Sequence, residues 1–518
     1  MDALLASRPL LAVLVSALAA VAIAFSGRRP NLREGWTLAA AFLKFGLVFS
    51  MLPQVLEGNY PELTLLQISP GIELALRVDP AGIIFALSAS FLWVLTSFYA
   101  MGYMRGLDEH KQTRFFAMLA TCLSATIGLC FSANLLTFVL FYEILSVATY
   151  PLVIHKESEK AYRIGRQYLV YAITAGIALV AGSALIHQMA GTLDFQAGGF
   201  LTAEMGRGPL MAVFLLFFLG FGVKGGVMPL HSWLPNAMIA PTPVSALLHA
   251  VAVVKAGVFG FVRLSGYVFG PELLHALGFG MILAALAGGT ILLASLIAMT
   301  KDDLKARLAY STVGHLSYIV LGVALLAPTA FLGGMFHMVT HAAMKITLFF
   351  CAGAIYVHTG LDRVSQLDGI GRKMPITMAA FGIGTLGLAG VPLIGGFLSK
   401  WYLATGTVDA GELVFLAVLL VSGALNLVYL LPVVTRAFFR SSPEHTGMNE
   451  ASALMVVPLV ITALLSISLG VNPDGFFHFF TLAGEVVGSV MGGAAEGVLG
   501  SGIPVEAPPA ETVTGGAP

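Results

Sequence analysis

Apolar runs of about 20 residues recur along nearly the whole of this 518-residue chain, and that repetition leaves few folds open. Each run is long enough to cross roughly 30 Å of hydrocarbon as a helix. No water in that layer can satisfy backbone N–H and C=O groups, so a spanning segment of this length must bond within itself. Only 10% of the residues are charged and 58% are hydrophobic, too little charge to cover a water-soluble domain of this size. The expected fold is an all-α polytopic membrane protein. Fourteen spans are expected, near residues 4–25, 35–54, 81–103, 115–132, 134–154, 166–188, 209–229, 242–265, 275–299, 307–327, 330–357, 376–402, 412–434 and 453–471. The first lacks a cleavage site leading into a soluble domain, so it reads as an anchor and not a signal peptide.

The basic residues then give the topology. Eighteen fall in alternate loops: Arg28, Arg29, Arg33; Arg105, Lys111, Arg114; Lys156, Lys160, Arg163, Arg166; Lys301, Lys305, Arg307; Arg363, Arg372, Lys373; Arg436 and Arg440. Arg8, Arg77, Arg207 and Arg263 fall on the other side. The positive-inside rule makes the first set cytoplasmic and puts both termini outside, as expected for an inner (cytoplasmic) membrane protein. Glu57, Glu62, Glu73 and the acidic tail (Glu496, Glu506, Glu511) agree.

Five cations remain within or bordering spans, and all are lysine: Lys44, Lys224, Lys255, Lys345 and Lys400. Arginine keeps its proton in proteins, whereas a desolvated lysine can give it up. An interior that retains only the titratable cation suits proton traffic. Snorkelling of long side chains is the alternative, and Lys44 has no obvious partner. Glu143 lies near the middle of its span, where a carboxylate costs roughly 2.5–3.5 kcal/mol and should face the bundle with a partner. Lys224 is the expected partner, either as a proton-exchanging pair or as a static pair locking two helices.

Lys224 sits in FGVKGGVMPLHSW, where Gly225, Gly226 and Pro229 interrupt the helix. Pro392, Gly395 and Gly396 interrupt a second span just before Lys400. Broken helices at membrane depth are where transporters place ion sites, and freed backbone groups there are expected to line hydrated cavities. Between the breaks, His337, His341 and Lys345 recur every four residues and form one helical stripe. His249 with Lys255, and His315, occupy other spans. Histidine relays protons through either ring nitrogen, so these are expected relay groups; static hydrogen bonding is the alternative, and metal ligation would need a third ligand. Cys122, Cys130 and Cys351 lie in apolar segments without C-x-x-C spacing and read as packing residues. No metal, cofactor or redox chemistry of the chain's own is expected, so it is not expected to be an enzyme by itself.

The two breaks suggest an internal repeat. Residues 1–114 hold helices 1–3, 115–265 a first five-helix unit, 275–435 a second, 450–495 the last helix with an apolar segment, and 496–518 a flexible Pro/Gly-rich tail. Five is odd, so the second unit would run inverted to the first.

Four segments carry a resemblance to a known family. PLHSWLPNAMIAPTPVSALLHAVAVVKAG, DDLKARLAYSTVGHLSYIVLG, HMVTHAAMKITLFFCAGAI and GLAGVPLIGGFLSKWYL resemble, in order, the proton-translocating antiporter family. That family includes the antiporter-like subunits of respiratory complex I and the A and D subunits of Mrp-type cation/proton antiporters. The resemblance implies functional roles for Glu143, Lys224, Lys255, His337, His341, Lys345 and Lys400, hydrated half-channels and a polar axis across the mid-membrane. It implies other membrane subunits as partners, with protons and a monovalent cation, Na+ above all, as the ions moved; nucleic acid is not expected. Without a long C-terminal extension the chain is most similar to the D subunit, or to its equivalent in a complex I-like or membrane hydrogenase assembly. A third expectation is a membrane partner of a peripheral soluble protein, as in inorganic carbon uptake. A sodium site within this chain is not expected, because a hard cation needs several oxygen ligands and Glu143 is the one deep carboxylate.

Overall fold

The computed structural model describes residues 6–492 except 70, 444 and 446; the tail expected at 496–518 lies outside the described residues. Helix occupies every one of the fourteen expected spans. In chain order these are α1 (Arg8–Phe25), α2 (Pro30–Phe49), α3 (Pro80–Gly106), α4 (Gln112–Cys130), α5 (Leu135–Val153), α6 (Glu159–Ala190) and α7 (Arg207–Gly225). There follow α8 (Val253–Arg263), set between π-helical turns at Leu247–Val251 and Leu264–Phe269, then α9 (Phe279–Met299), α10 (Leu304–Ala324) and α11 (Pro328–Thr359). The twelfth span is split into α12 (Pro375–Ala389) and α13 (Gly395–Asp409), and α14 (Leu413–Phe439), α15 (Ala453–Val471) and α16 (Phe479–Met491) follow within the described residues. Among the described residues, eleven helices are long and apolar enough to cross a membrane alone, and a twelfth counts if α8 is joined to Pro271–Leu277 across an 88° bend. The shortfall from fourteen has a physical cause: α10 carries many polar side chains, and the broken twelfth span leaves two short halves.

Local chemistry sets the helix ends. Asp79, Asn134, Ser158 and Asp303 accept hydrogen bonds from backbone N–H groups at the starts of α3, α5, α6 and α10, satisfying donors that a helix leaves open. The layering follows burial. α11 is buried along its whole apolar length, α3 nearly so, while α1 and α14 are buried over a third of theirs. The histidine stripe of α11 therefore runs through the centre of the bundle.

Two features were not read from the sequence. The helices carry one small hairpin, in which β1 (Glu62–Ser69) pairs antiparallel with β2 (Ile72–Arg77). This hairpin docks on the α4–α5 connection through Arg77 N to Phe131 O (2.6 Å) and Ala133 N to Ala75 O (3.0 Å). Arg263, read as lying on the side away from the basic loops, does lie at the hairpin end but is 1% exposed there and donates through both Nη atoms to Asp79. The helix bundle thus does hold a buried arginine, but one with a carboxylate.

The basic loops gather on one face. Lys111 and Arg114 reach Glu157, Lys156 reaches Glu109, and Arg105 reaches Glu34. Farther along, Arg436 pairs with Asp368, and Ser365 bonds Asp302. This basic face lies at the opposite end of the helices from the hairpin.

Candidate functional site

Both breaks are built the same way. α7 ends in a glycine in the left-handed conformation, Gly226 (φ 66°), with Gly226 N bonded to Val223 O and Val227 N to Gly222 O. α12 ends at Gly390 (φ 94°), with Gly390 N bonded to Gly387 O and Val391 N to Leu386 O. This paired bonding satisfies carbonyls at a helix C-terminus and needs a residue that tolerates positive φ. Lys224 lies in the last turn of α7, and Lys400 donates to Leu388 O (2.5 Å) and Ala389 O (3.2 Å) at the end of α12. Each break thus pairs a lysine with a helix C-terminus, the end whose dipole favours a cation. The expectation of backbone groups opened to water needs revising at α7, where Trp233 Nε1 donates to Val223 O at 2.7 Å and Thr290 accepts from Met228 N.

Lys224 does not pair with Glu143. Its Nζ donates to Tyr142 O at 2.6 Å and stands 3.4 Å from the centre of the Tyr142 ring. The Glu143 carboxylate instead packs on Gly176 of α6, where a Cβ would come within 2.6 Å of it. Glu143 is partly exposed, with Oε1 unpartnered. It lies beside Leu140 and Ile144, exposed on the outer surface of α5. A static ion pair locking these helices is therefore absent.

Between Lys224 and Lys255 the contact is backbone against backbone. α7 and α8 touch at Gly225 and Gly257, so closely that a Cβ on Gly257 would stand 2.1 Å from Gly225 N. Lys255 Nζ then meets His341 Nδ1 at 3.0 Å. His341 stacks on His315 (5.5 Å between ring centres), and His315 Nδ1 meets His337 Nε2 at 3.2 Å. His337 Nδ1 meets Ser399 Oγ at 2.8 Å, next to Lys400. Tyr318 lies against the rings of both His315 and His337, and Lys400 Nζ stands 5.1 Å from the Tyr318 ring centre. A side branch runs from Lys345 to Ser311 (2.7 Å), Tyr429 and Asn426, and Asn426 returns to Leu388 O. Lys255, His315, His337, His341 and Lys345 are each at most 1% exposed.

The structure thus links Lys255, His341, His315, His337 and Lys400 in one chain, ties Lys345 to it through the side branch, sets Lys224 beside it through the α7–α8 backbone contact alone, and leaves Glu143 at its edge. The side chain of His249 lies outside the described residues. Lys44 stands apart, bonded to Ser16 and Leu123 O and facing the Trp93 ring. Tyr142, Ser311, Tyr318, Ser399, Asn426 and Tyr429 complete the chain and were not singled out in the sequence. Asn426, a polar residue inside an apolar run, carried the one visible signal. All five lysines share one property: no carboxylate lies within 4.0 Å of any of them among the described residues, and their partners are carbonyls, hydroxyls or an imidazole.

Comparison with known proteins places this site in a family. The membrane-region pattern "NADH:quinone oxidoreductase/Mrp antiporter, TM" matches residues 132–426, which include every member of the chain except Tyr429. The protein is 33% identical over 421 residues to NADH-quinone oxidoreductase subunit N of Desulforudis audaxviator, covering 77% of this chain and 82% of that protein. It is 32% identical to a probable K(+)/H(+) antiporter A/B subunit of Rhizobium meliloti, covering 78% of this chain but 40% of that one. Its fold matches a component of the Mrp complex from Dietzia sp. DQ12-45-1b with a TM-score of 0.83 at 21% identity, over 96% of this chain and 99% of that one. On the matched pattern and the subunit N relative together, the chain belongs to the NADH:quinone oxidoreductase/Mrp antiporter family of membrane subunits.

Proposed function

We propose that this chain is the proton-translocating subunit of a multisubunit monovalent cation/proton antiporter, with Na+ as the exchanged ion. It would sit among other membrane subunits in the cell inner membrane, basic face inward. The observation that carries the reading is the set of buried lysines held by neutral partners. An amine among carbonyls, hydroxyls and imidazoles can be present with or without its proton and strand no counter-ion in either state. Arg263, whose charge is permanent, has a carboxylate of its own; that contrast supports exchange as the lysines' role. Protons would pass between Lys224, Lys255, the His341–His315–His337 rings and Lys400. We read the two breaks as equivalent positions of two inverted five-helix units. We read Glu143, at the bundle edge, as the group that hands protons to or from a neighbouring subunit.

Cation-dependent proton flux in vesicles carrying the assembled complex tests this. Glu143→Ala is expected to abolish the flux with assembly intact, and Glu143→Asp to keep part of it, because the charge survives on a shorter arm. Wild-type flux in assembled Glu143→Ala complexes would remove Glu143 from the path. A second reading, a proton-pumping subunit of a redox complex, is supported by the extent of the match to subunit N. Mass spectrometry of the purified complex separates the two: small antiporter subunits favour the first, iron–sulfur subunits the second, and a single large soluble partner would favour solute uptake instead.

A further inference from the structure

Away from the lysine–histidine chain, three ligand-type side chains converge on the basic face. Glu109 and His110 lie in the α3–α4 connection, and His155 lies just beyond α5. Their candidate ligand atoms all fall within 4.8 Å of one another. Glu109 Oε2 stands 3.8 Å from His155 Nε2 and 3.8 Å from His110 Nδ1. The other carboxylate oxygen, Oε1, accepts a hydrogen bond from Lys156 at 2.7 Å, so Oε2 is the one turned toward the two imidazoles. His155 is fully buried, and neither of its ring nitrogens has a hydrogen-bond partner. Buried polar atoms nearly always have one, so an imidazole orphaned at both nitrogens points to a missing ligand.

We propose that Glu109, His110 and His155 form a binding site for a divalent cation of the Zn2+ class. Two imidazole nitrogens and one carboxylate oxygen, with an open position for water, are a donor set that suits this borderline ion. Metal–ligand bonds of about 2.0–2.2 Å in tetrahedral geometry bring ligand atoms to roughly 3.3 Å from one another. The present separations need to close by roughly 0.5–1.5 Å on that geometry. His110 is exposed in a connecting segment and can make most of that movement. Its second nitrogen, Nε2, stands 3.8 Å from Glu157 Oε2, and a carboxylate behind a metal-bound imidazole fixes its orientation and raises its basicity. Glu157 also holds Lys111 and Arg114, at 2.7 and 2.5 Å, which limits repulsion of an incoming cation.

The site has a neighbour through which it can be felt. Lys156 lines a cavity of about 180 Å³ together with Tyr103, Thr242, Lys305, Tyr356 and Asp362. A metal on Glu109 draws negative charge away from Lys156 at that cavity's edge, so occupancy is linked to the electrostatics of the basic face.

The test uses the whole purified complex, stripped with a chelator and titrated with Zn2+ by calorimetry, with the visible spectrum of Co2+ as a second probe of nitrogen and oxygen ligation. Wild type is expected to bind one more Zn2+ than either His110→Ala or His155→Ala, or to bind it at least about tenfold more tightly. The Co2+ spectrum should change in both variants. If wild type and His110→Ala, both assembled, bind Zn2+ with the same stoichiometry and affinity, the proposal is overturned. The exposed His110 carries that comparison even if the buried His155 variant fails to assemble.

Discussion

Replacing Lys224 by arginine is expected to lower cation-dependent proton flux by about two orders of magnitude or more, the contribution typical of a positioned proton-transfer group. Charge is conserved in this variant but exchange is not, because a guanidinium does not release its proton in a protein. The packing sharpens the expectation. Lys224 has a carbonyl acceptor at 2.6 Å and an aromatic face at 3.4 Å, partners that serve a cation while it is present but leave a permanent one without a carboxylate. Lys224→Arg is therefore compared as assembled complex, its amount measured by native electrophoresis, and is expected to fail in transport. Substantial flux through it would make Lys224 an electrostatic fixture.

The largest effect on stability is expected at Asp79→Ala. Arg263 is bound by both Asp79 oxygens and enclosed by the rings of Phe195, Phe259 and Tyr267, 4.7–5.0 Å from its guanidinium carbon. Removing the carboxylate leaves a buried charge unpaired, which costs about 3–5 kcal/mol. It also removes the cap of α3, worth about 1 kcal/mol. The expected result is a marked fall in the melting temperature of the purified protein and in its yield in membranes. Asp79→Ala combined with Arg263→Met should recover part of the loss, since no unpaired charge then remains. Equal melting temperatures for wild type and Asp79→Ala would show that the pair contributes little.

What a sequence displays of such a protein depends on where each residue's partner lies. Spans were legible because about 20 apolar residues suffice to cross a bilayer, whatever they pack against. The breaks were legible because glycine and proline act on their own backbone. The hairpin was not: ELTLLQIS and IELALR alternate poorly, and Leu65, Leu66 and Ile68 are exposed, so period-two burial is weak. The burial of Arg263 was not legible because its partner lies 184 residues away and α8 continues beyond it in a π-helical turn. The lysines and histidines themselves were legible from type and depth. Their partners were not, since Tyr142 O, Leu388 O and Ala389 O are backbone acceptors that every residue carries. A carboxylate stands out in an apolar run and a carbonyl does not, so Glu143 drew the pairing with Lys224 when the acceptor was the carbonyl one residue before it.

The central claim is that protons cross the middle of this bundle through the histidine rings, and His341 is where that claim is most exposed. Its Nδ1 faces Lys255 and its ring stacks on His315. Without it, Lys255 loses the one imidazole it contacts among the described residues. The measurement is cation-dependent proton flux in vesicles for His341→Ala and for His337→Ala with His341→Ala, normalised to the amount of assembled complex. The account predicts slowing in the single variant, graded because water can fill part of the gap, and a deeper loss in the double, reaching about a hundredfold. Wild-type flux in both would contradict it and leave the rings as packing.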